Sequence, residues 1–164
     1  MKPGDHPEFF RSPAPEGRSR ESAIRLDANG VFHDHEEIVA HAGLARAMHG
    51  WIRRHPDDGR FILSNGYDWT YFTVDDAPYT AMRVSHVSEQ DHLTLALSDG
   101  SEEAWDPSTT RVGDGGALYA KVKGGTFEAK FTRHAQSALE PYLVEENGRA
   151  AIRVGGKSWP IGAR

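Results

Sequence analysis

Residues 60–105 read RFILSNGYDWTYFTVDDAPYTAMRVSHVSEQDHLTLALSDGSEEAW and alternate apolar with polar side chains over most of their length. A period of two residues is typical of strands that bury one face. Turn signals at residues 65–66 (NG), 76–78 (DAP) and 99–100 (DG) divide the stretch into successive strands. Connections of hairpin length join antiparallel strands, so this stretch predicts a meander and, with the flanking hairpins, a sheet that is antiparallel throughout.

Before this stretch, the sequence predicts one hairpin and one helix. Asn29-Gly30 lies between two short β-like runs and predicts a hairpin over residues 23–38 with a type I′ turn. Apolar residues at helical spacing then predict an amphipathic helix over residues 42–55, with Leu44, Met48, Trp51 and Ile52 on its inner face. We expect Trp51 to be a fully buried anchor of that helix.

After the meander, the sequence again predicts one helix and one hairpin. Residues 118–122 (LYAKV) fit a strand, and an apolar stripe predicts a second helix over residues 127–143. The stripe consists of Phe127, Phe131, Ala135, Ala138, Leu139 and Tyr142. Pro141 lacks a backbone N–H and is expected to end or kink this helix. Gly155-Gly156 between AAIRV and KSWPI predicts a closing hairpin, because no helix can follow the GGKS sequence as a phosphate-binding loop requires.

These elements predict the α+β class, with two tandem small units that each contain antiparallel sheet and one helix. Residues 23–26 (AIRL) and 151–154 (AIRV) precede similar turns, as a duplicated motif would leave them. We expect a Pro-rich N-terminal arm over residues 1–21, an N-terminal unit over 22–76 and a C-terminal unit over 77–164 that packs on it.

Composition and charge exclude several function classes. The chain has 164 residues without cysteine, which excludes disulfide scaffolds and thiolate chemistry and favours a cytoplasmic location. No apolar run approaches the length of a membrane span. Residues 61–120 hold 2 basic and 10 acidic side chains, and residues 121–164 hold 8 and 4. Binding to duplex nucleic acid needs a concentrated basic surface and is not expected.

Few residues of the chain carry the pattern of a catalytic or metal site. His33 and His35 share one face of a predicted strand, but a metal site needs three convergent ligands, so we expect no metal and no cofactor. Asp75 and Asp76 end a predicted strand and could act as an acid–base pair or close a turn. Trp69 and Tyr79 could stack a ring or belong to the core, and Arg133 could grip phosphate oxygens or lie in solvent.

Several segments together resemble one known family. They are IRLDANGVF (24–32), GLARAMHGWI (43–52), HPDDGRFIL (55–63), FEAKFTRHAQSAL (127–139) and, most specifically, VDDAPY (74–79) and GGKSWPIG (155–162). In these segments the chain is similar to the bacterial domain-of-unknown-function family 1285, over about residues 23–162. Residues 64–69 (SNGYDW) stand where that family usually has a segment with Thr-Pro, on a rim that could touch a ligand.

This resemblance implies an α+β fold with duplicated motifs and a C-terminal part loosely similar to pleckstrin-homology-like domains. It also implies a nucleotide-type ligand between the two halves and a role in signalling. The charge split, the aromatic residues and Arg133 favour the same kind of small anionic ligand. The expected ligand-binding residues are Trp69, Asp75, Asp76, Tyr79 and Arg133.

The sequence therefore favours a non-enzymatic ligand-binding or signalling module. One alternative is a small metal-assisted hydrolase that uses His33, His35, Asp75 and Asp76. The other is a protein-interaction scaffold that uses exposed strand edges and the Pro-rich arm.

Overall fold

The computed structural model describes residues 1–163 and consists mainly of short strands with two α-helices. The predicted α+β class is confirmed. The chain divides into two compact units, Met1–Pro78 and a second that begins at Tyr79, and each contains one of the α-helices. Within residues 1–163, neither helix is long and apolar enough to cross a membrane. The likeness of the C-terminal part to pleckstrin-homology-like domains stays a prediction.

The first unit places its α-helix in the middle of seven short strands. These elements are β1 (Ile24–Leu26), β2 (Phe32–Asp34), β3 (Glu37–Ile38), α1 (Ala42–Gly50), β4 (Ile52–Arg54), β5 (Phe61–Ser64), β6 (Trp69–Tyr71) and β7 (Thr73–Val74). They form two sheets, one with the strand order β3-β2-β1-β7 and one with the order β4-β5-β6. Leu26, Phe32 and Ile62 are fully buried between these elements.

The hairpin predicted over residues 23–38 is confirmed by the antiparallel pairing of β1 with β2. Its turn is not type I′, which needs a positive φ at both central residues. In this loop Gly30 alone has a positive φ. The Asp27 carboxylate instead closes the turn by accepting the backbone N–H groups of Asn29 and Val31.

The first helix is shorter than the sequence predicts. α1 begins after His41, whose ring Nδ1 accepts the backbone N–H of Leu44 at 3.0 Å, and it ends at Gly50. Glycine has a poor helix propensity, and the next residues instead gain the ladder of hydrogen bonds between β4 and β5. Trp51 therefore follows the helix and is only half-buried. The prediction of a fully buried Trp51 on a helix over residues 42–55 is wrong.

The N-terminal segment packs on the first unit. It forms two 3-10 helices, Pro3–Asp5 and Pro7–Arg11. The backbone N–H of Gly4 donates to the carbonyl of Gly66 at 2.8 Å. A Cβ atom at position 4 would lie 2.9 Å from the Cα atom of Gly66, so glycine is required for this approach. Phe10 is buried, and its ring centroid lies 5.9 Å from that of Trp69.

The second unit contains ten strands and a short helix. They are β8 (Tyr79–Val87), β9 (His92–Leu97), β10 (Glu102–Ala104), β11 (Arg111–Val112), β12 (Leu118–Val122), β13 (Phe127–Phe131), α2 (Arg133–Ala138), β14 (Leu143–Glu146), β15 (Arg149–Val154), β16 (Lys157–Pro160) and β17 (Gly162–Ala163). One sheet has the order β10-β9-β8-β13-β12-β11-β17 and the other the order β14-β15-β16.

The helix predicted over residues 127–143 is wrong in its first part. Residues 127–131 instead form β13, because the glycine turn before them returns the chain antiparallel to β12. Buried and partly buried side chains alternate along this strand. α2 begins only after Thr132, whose hydroxyl accepts the backbone N–H of Ala135 at 3.0 Å. Pro141 lies in a 3-10 helix beyond α2, so the predicted end of the helix before this proline is confirmed.

The prediction that all strand pairs are antiparallel is also wrong. β1 pairs in parallel with β7, β8 with β13, and β11 with β17. Each of these pairs joins strands that are distant in sequence, so the chain between them is long enough for a crossover.

The predicted closing hairpin is confirmed, because β15 pairs with β16 across Gly155 and Gly156, which both have a positive φ.

Candidate ligand-binding cavity in the first unit

A cavity of about 300 Å³ opens in the first unit, between α1 and the two sheets. Its lining residues come from β1, β2, the segment after β3, α1 and the residue that follows it, β5, β6 and the turn between these last two strands. They are Ile24, Asp34, Val39, Leu44, Met48, Trp51, Leu63, Asn65, Asp68, Trp69 and Thr70. Seven of these eleven side chains are apolar or aromatic, so the cavity has an apolar wall and a smaller polar rim.

The helix supplies the outer part of the apolar wall. Leu44 and Met48 are four residues apart and therefore lie on one face of α1. Met48 is buried, whereas Leu44 is 44% exposed at the mouth. The half-buried indole of Trp51 continues this wall just beyond the helix.

Trp69 supplies a further aromatic part of the wall, and three side chains pack against its ring. Its side chain is 6% exposed. The guanidinium carbon of Arg20 lies 4.5 Å above its ring, and the rings of His55 and Tyr71 lie 5.2 and 5.1 Å away. Within residues 1–163 its buried indole N–H has no hydrogen-bond partner. Because a buried donor without an acceptor is costly, an acceptor that reached this N–H would stabilise the site.

The polar rim consists of Asp34, Asn65, Asp68 and Thr70. Asn65 Oδ1 accepts the backbone N–H groups of residues 67 and 68, and this turn places Asp68 beside the cavity. Asp68 Oδ1 accepts from Arg20 at 2.9 Å, and Asp34 Oδ1 lies 2.9 Å from Nδ1 of His35. Both carboxylates are more than half exposed. In each carboxylate these contacts use Oδ1, and Oδ2 takes no hydrogen bond from residues 1–163.

The five residues expected to bind a ligand have different surroundings. Trp69 lines the cavity, and Asp75 and Asp76 belong to the same unit but do not line it. Asp75 accepts from the Arg25 guanidinium, and Asp76 is half-buried. Tyr79 and Arg133 belong to the second unit. Their joint role in binding stays a prediction.

In the second unit, Tyr79 is buried and Arg133 is exposed. Tyr79 starts β8, and its ring centroid lies 5.5 Å from that of Phe127. Burial raises the pKa of the Tyr79 phenol to about 12, with smaller contributions from Asp99 and Glu103. Arg133 is the first residue of α2, with its side chain in solvent.

His33 and His35 are engaged by different carboxylates. Nε2 of His33 lies 2.8 Å from Oδ2 of Asp27, whereas His35 contacts Asp34. Burial tends to raise the pKa of Asp27, but hydrogen bonds from His33 and from two backbone N–H groups outweigh it, so the pKa is lowered overall. In the part of the chain that the structure describes, no three His, Cys, Asp or Glu side chains gather in the way a metal ion requires.

Most of the cavity was missed from the sequence because its lining is not local. Only Trp69 was among the expected ligand-binding residues, and residues 64–69 were expected on a rim. Asn65 and Asp68 could have been predicted, because an Asn-Gly turn before an aromatic strand indicates polar side chains at the end of that strand. Ile24, Asp34 and Leu44 reach the same place only through the packing of β1, β2 and α1.

Comparison with known proteins relates the chain to two solved structures. No family model and no curated protein match the sequence. A crystal structure of a DUF1285 family protein from Silicibacter pomeroyi DSS-3 superposes with a TM-score of 0.69 at 18% identity, covering 93% of this chain and 92% of that one. One from Shewanella baltica OS155 gives a TM-score of 0.57 at 17% identity, covering 70% and 87%. The chain therefore has the fold of DUF1285 family proteins, as the resemblance in its sequence predicted.

Proposed function

We propose that this protein is a small-molecule-binding module whose first unit holds a ligand with an apolar ring. The cavity of about 300 Å³ between α1 and the two sheets carries this proposal. Its volume lies at the lower end of the range for small-molecule sites, and such sites combine apolar walls with a few polar groups. A bicyclic ring such as indole matches both the volume and the two tryptophans that line it.

The chemistry of the lining favours binding over catalysis. Among the described lining residues, the titratable groups are the Asp34 and Asp68 carboxylates. Catalysis of acyl or phosphoryl transfer needs a nucleophile with a base within hydrogen-bond reach. Among the described lining residues one has a hydroxyl, Thr70, and it donates instead to the backbone carbonyl of Arg20 at 2.8 Å. The cavity is therefore suited to holding a ligand unchanged.

Titration with indole, followed by ¹⁵N NMR, tests this proposal directly. The indole N–H signals of Trp51 and Trp69 report on the cavity, and those of Trp105 and Trp159 in the second unit serve as internal controls. We expect indole at millimolar concentration to shift the first pair of signals and leave the second pair in place.

The variant Leu44→Gln is expected to weaken this binding. It removes apolar surface at the mouth of the cavity, which is worth about 1 kcal/mol, or roughly fivefold in affinity. Met82→Gln is the matched control, because Met82 is 45% exposed, close to the 44% of Leu44, and lies in the second unit. Equal affinities of the two variants, or an absence of shifts at Trp51 and Trp69, would contradict the proposal.

The nucleotide-like ligand and the signalling role implied by the family resemblance stay separate proposals. An aromatic ring and a guanidinium suit a ring that bears phosphate, and exposed Arg133 is available for such a contact. Titration with AMP, compared between the wild-type chain and Arg133→Ala, tests that ligand. Binding that Arg133→Ala leaves unchanged would count against it.

A further inference from the structure

We infer that the cavity of the first unit selects ring ligands that carry a cationic amine over those that carry an anion. This inference rests on the proposed function and adds the charge of the ligand to it. The observation behind it is that both titratable side chains among the described lining residues, Asp34 and Asp68, are acidic. In the part of the chain that the structure describes, no lysine, arginine or histidine lines the cavity.

The basic side chains next to the rim, Arg20 and His35, leave room for a ligand amine. Arg20 contacts Oδ1 of Asp68, and its guanidinium also donates to the Trp69 carbonyl at 3.0 Å and lies over the Trp69 ring. It is held outside the lining by these contacts. His35 contacts Oδ1 of Asp34 and is itself 82% exposed, so this pair is a weak surface contact. An incoming ammonium group can therefore use Oδ2 of either carboxylate.

Trp51 adds a second reason to expect a cation. An indole face attracts a cation more strongly than other aromatic rings do. Arg20 already covers the Trp69 ring. Among residues 1–163, by contrast, no aromatic ring stacks on the Trp51 indole and no cation lies over it. A ligand ammonium between Trp51 and the carboxylate rim would gain both interactions. A ligand carboxylate would instead face the like charge of Asp34 and the ion pair of Asp68 with Arg20.

Three probes with one ring separate the charge preference from ring binding. Indole is neutral, tryptamine carries a two-carbon arm that ends in an ammonium group, and indole-3-propionate carries a two-carbon arm that ends in a carboxylate. We expect tryptamine to bind about fivefold more tightly than indole, and indole-3-propionate to bind more weakly than indole. The difference between the charged probes should shrink as salt is raised, because the rim carboxylates are exposed.

Substitution of the rim carboxylates localises the effect. Asp34→Asn and Asp68→Asn keep the shape of each side chain and remove its charge, so each should lower the affinity for tryptamine severalfold and leave that for indole nearly unchanged. Asp91→Asn is the matched control. Asp91 contacts a histidine and is 57% exposed, much like Asp34 at 54%, but it belongs to the second unit.

The outcomes distinguish the two levels of the proposal. Indole shifts at Trp51 and Trp69, together with equal affinities for tryptamine and indole-3-propionate, would overturn the charge inference and leave the proposed function standing. Tighter binding of indole-3-propionate would also overturn it. An absence of shifts with all three probes would overturn both. If Asp68→Asn disturbs the turn at residues 65–68, Asp34→Asn still decides the question.

Discussion

At the scale of single residues, Tyr79 makes the unfolding free energy of the protein fall as the pH rises in the alkaline range. Its side chain is 4% exposed, and burial raises the pKa of its phenol to about 12. In the unfolded chain a tyrosine ionises at about pH 10. The contribution of Tyr79 is therefore complete below pH 10 and is lost as the pH rises from 10 to 12, because the unfolded state releases its proton first.

The variant Tyr79→Phe should reduce the loss of unfolding free energy between pH 10 and 12. Urea unfolding at a series of pH values measures this slope. Some slope remains, because burial and the hydrogen bond to Asp58 raise the pKa of Tyr71 to about 12 as well. Tyr67→Phe, at an exposed position, is the control. An unchanged slope in Tyr79→Phe would show that this phenol does not carry the effect.

At the scale of elements, the β15–β16 hairpin depends on the backbone of its two-residue turn. Gly155 and Gly156 have φ values of 65° and 71°, which L-residues with a Cβ atom adopt at a cost of about 1–2 kcal/mol. At Gly155 the new Cβ would also lie 3.0 Å from the carbonyl oxygen of Asp91, whereas the space around Gly156 is open.

We therefore expect Gly156→Ala to lower the unfolding free energy by about 1 kcal/mol and Gly155→Ala to lower it further. Gly50→Ala supplies a control of opposite sign. Gly50 ends α1 with open space around it, so alanine should stabilise the protein by up to about 1 kcal/mol. Urea denaturation measures all three variants. Equal effects of Gly155→Ala and Gly156→Ala would exclude the contact with Asp91 as a source of the difference.

The elements also show why the sequence predicts some parts of this fold and not others. β9 and β15 follow from alternation and turn glycines, which are local signals. β13 was predicted as helix because Phe127, Phe131 and Ala135 fit a helical stripe, although the first two also fit a strand. The β8–β13 pair depends on a crossover that no local pattern encodes. The cavity depends on the same kind of long-range packing, which is why Trp69 alone of its lining was expected to bind a ligand.

At the scale of the whole molecule, the N-terminal segment acts as part of the first unit. The Phe10 ring packs against the rings of both His55 and Trp69, which also contact each other. Nε2 of His55 donates to the Phe10 carbonyl at 2.9 Å. Arg11 adds an exposed ion pair with Asp57. Since Trp69 also lines the cavity, docking of this segment supports the aromatic wall of the candidate site.

The variant Phe10→Ala should test this support in both stability and binding. Removal of a buried phenylalanine costs about 3–5 kcal/mol, so we expect the urea midpoint to fall markedly. We also expect the affinity for indole to fall severalfold under conditions where the variant is still folded, because the Trp69 ring loses its edge contact at 5.9 Å. Phe9→Ala is the matched control, since Phe9 is only half-buried against the same cluster and should cost less in both measurements. A Phe10→Ala variant with a lower midpoint and an unchanged indole affinity would separate the segment from the cavity and restrict its role to stability.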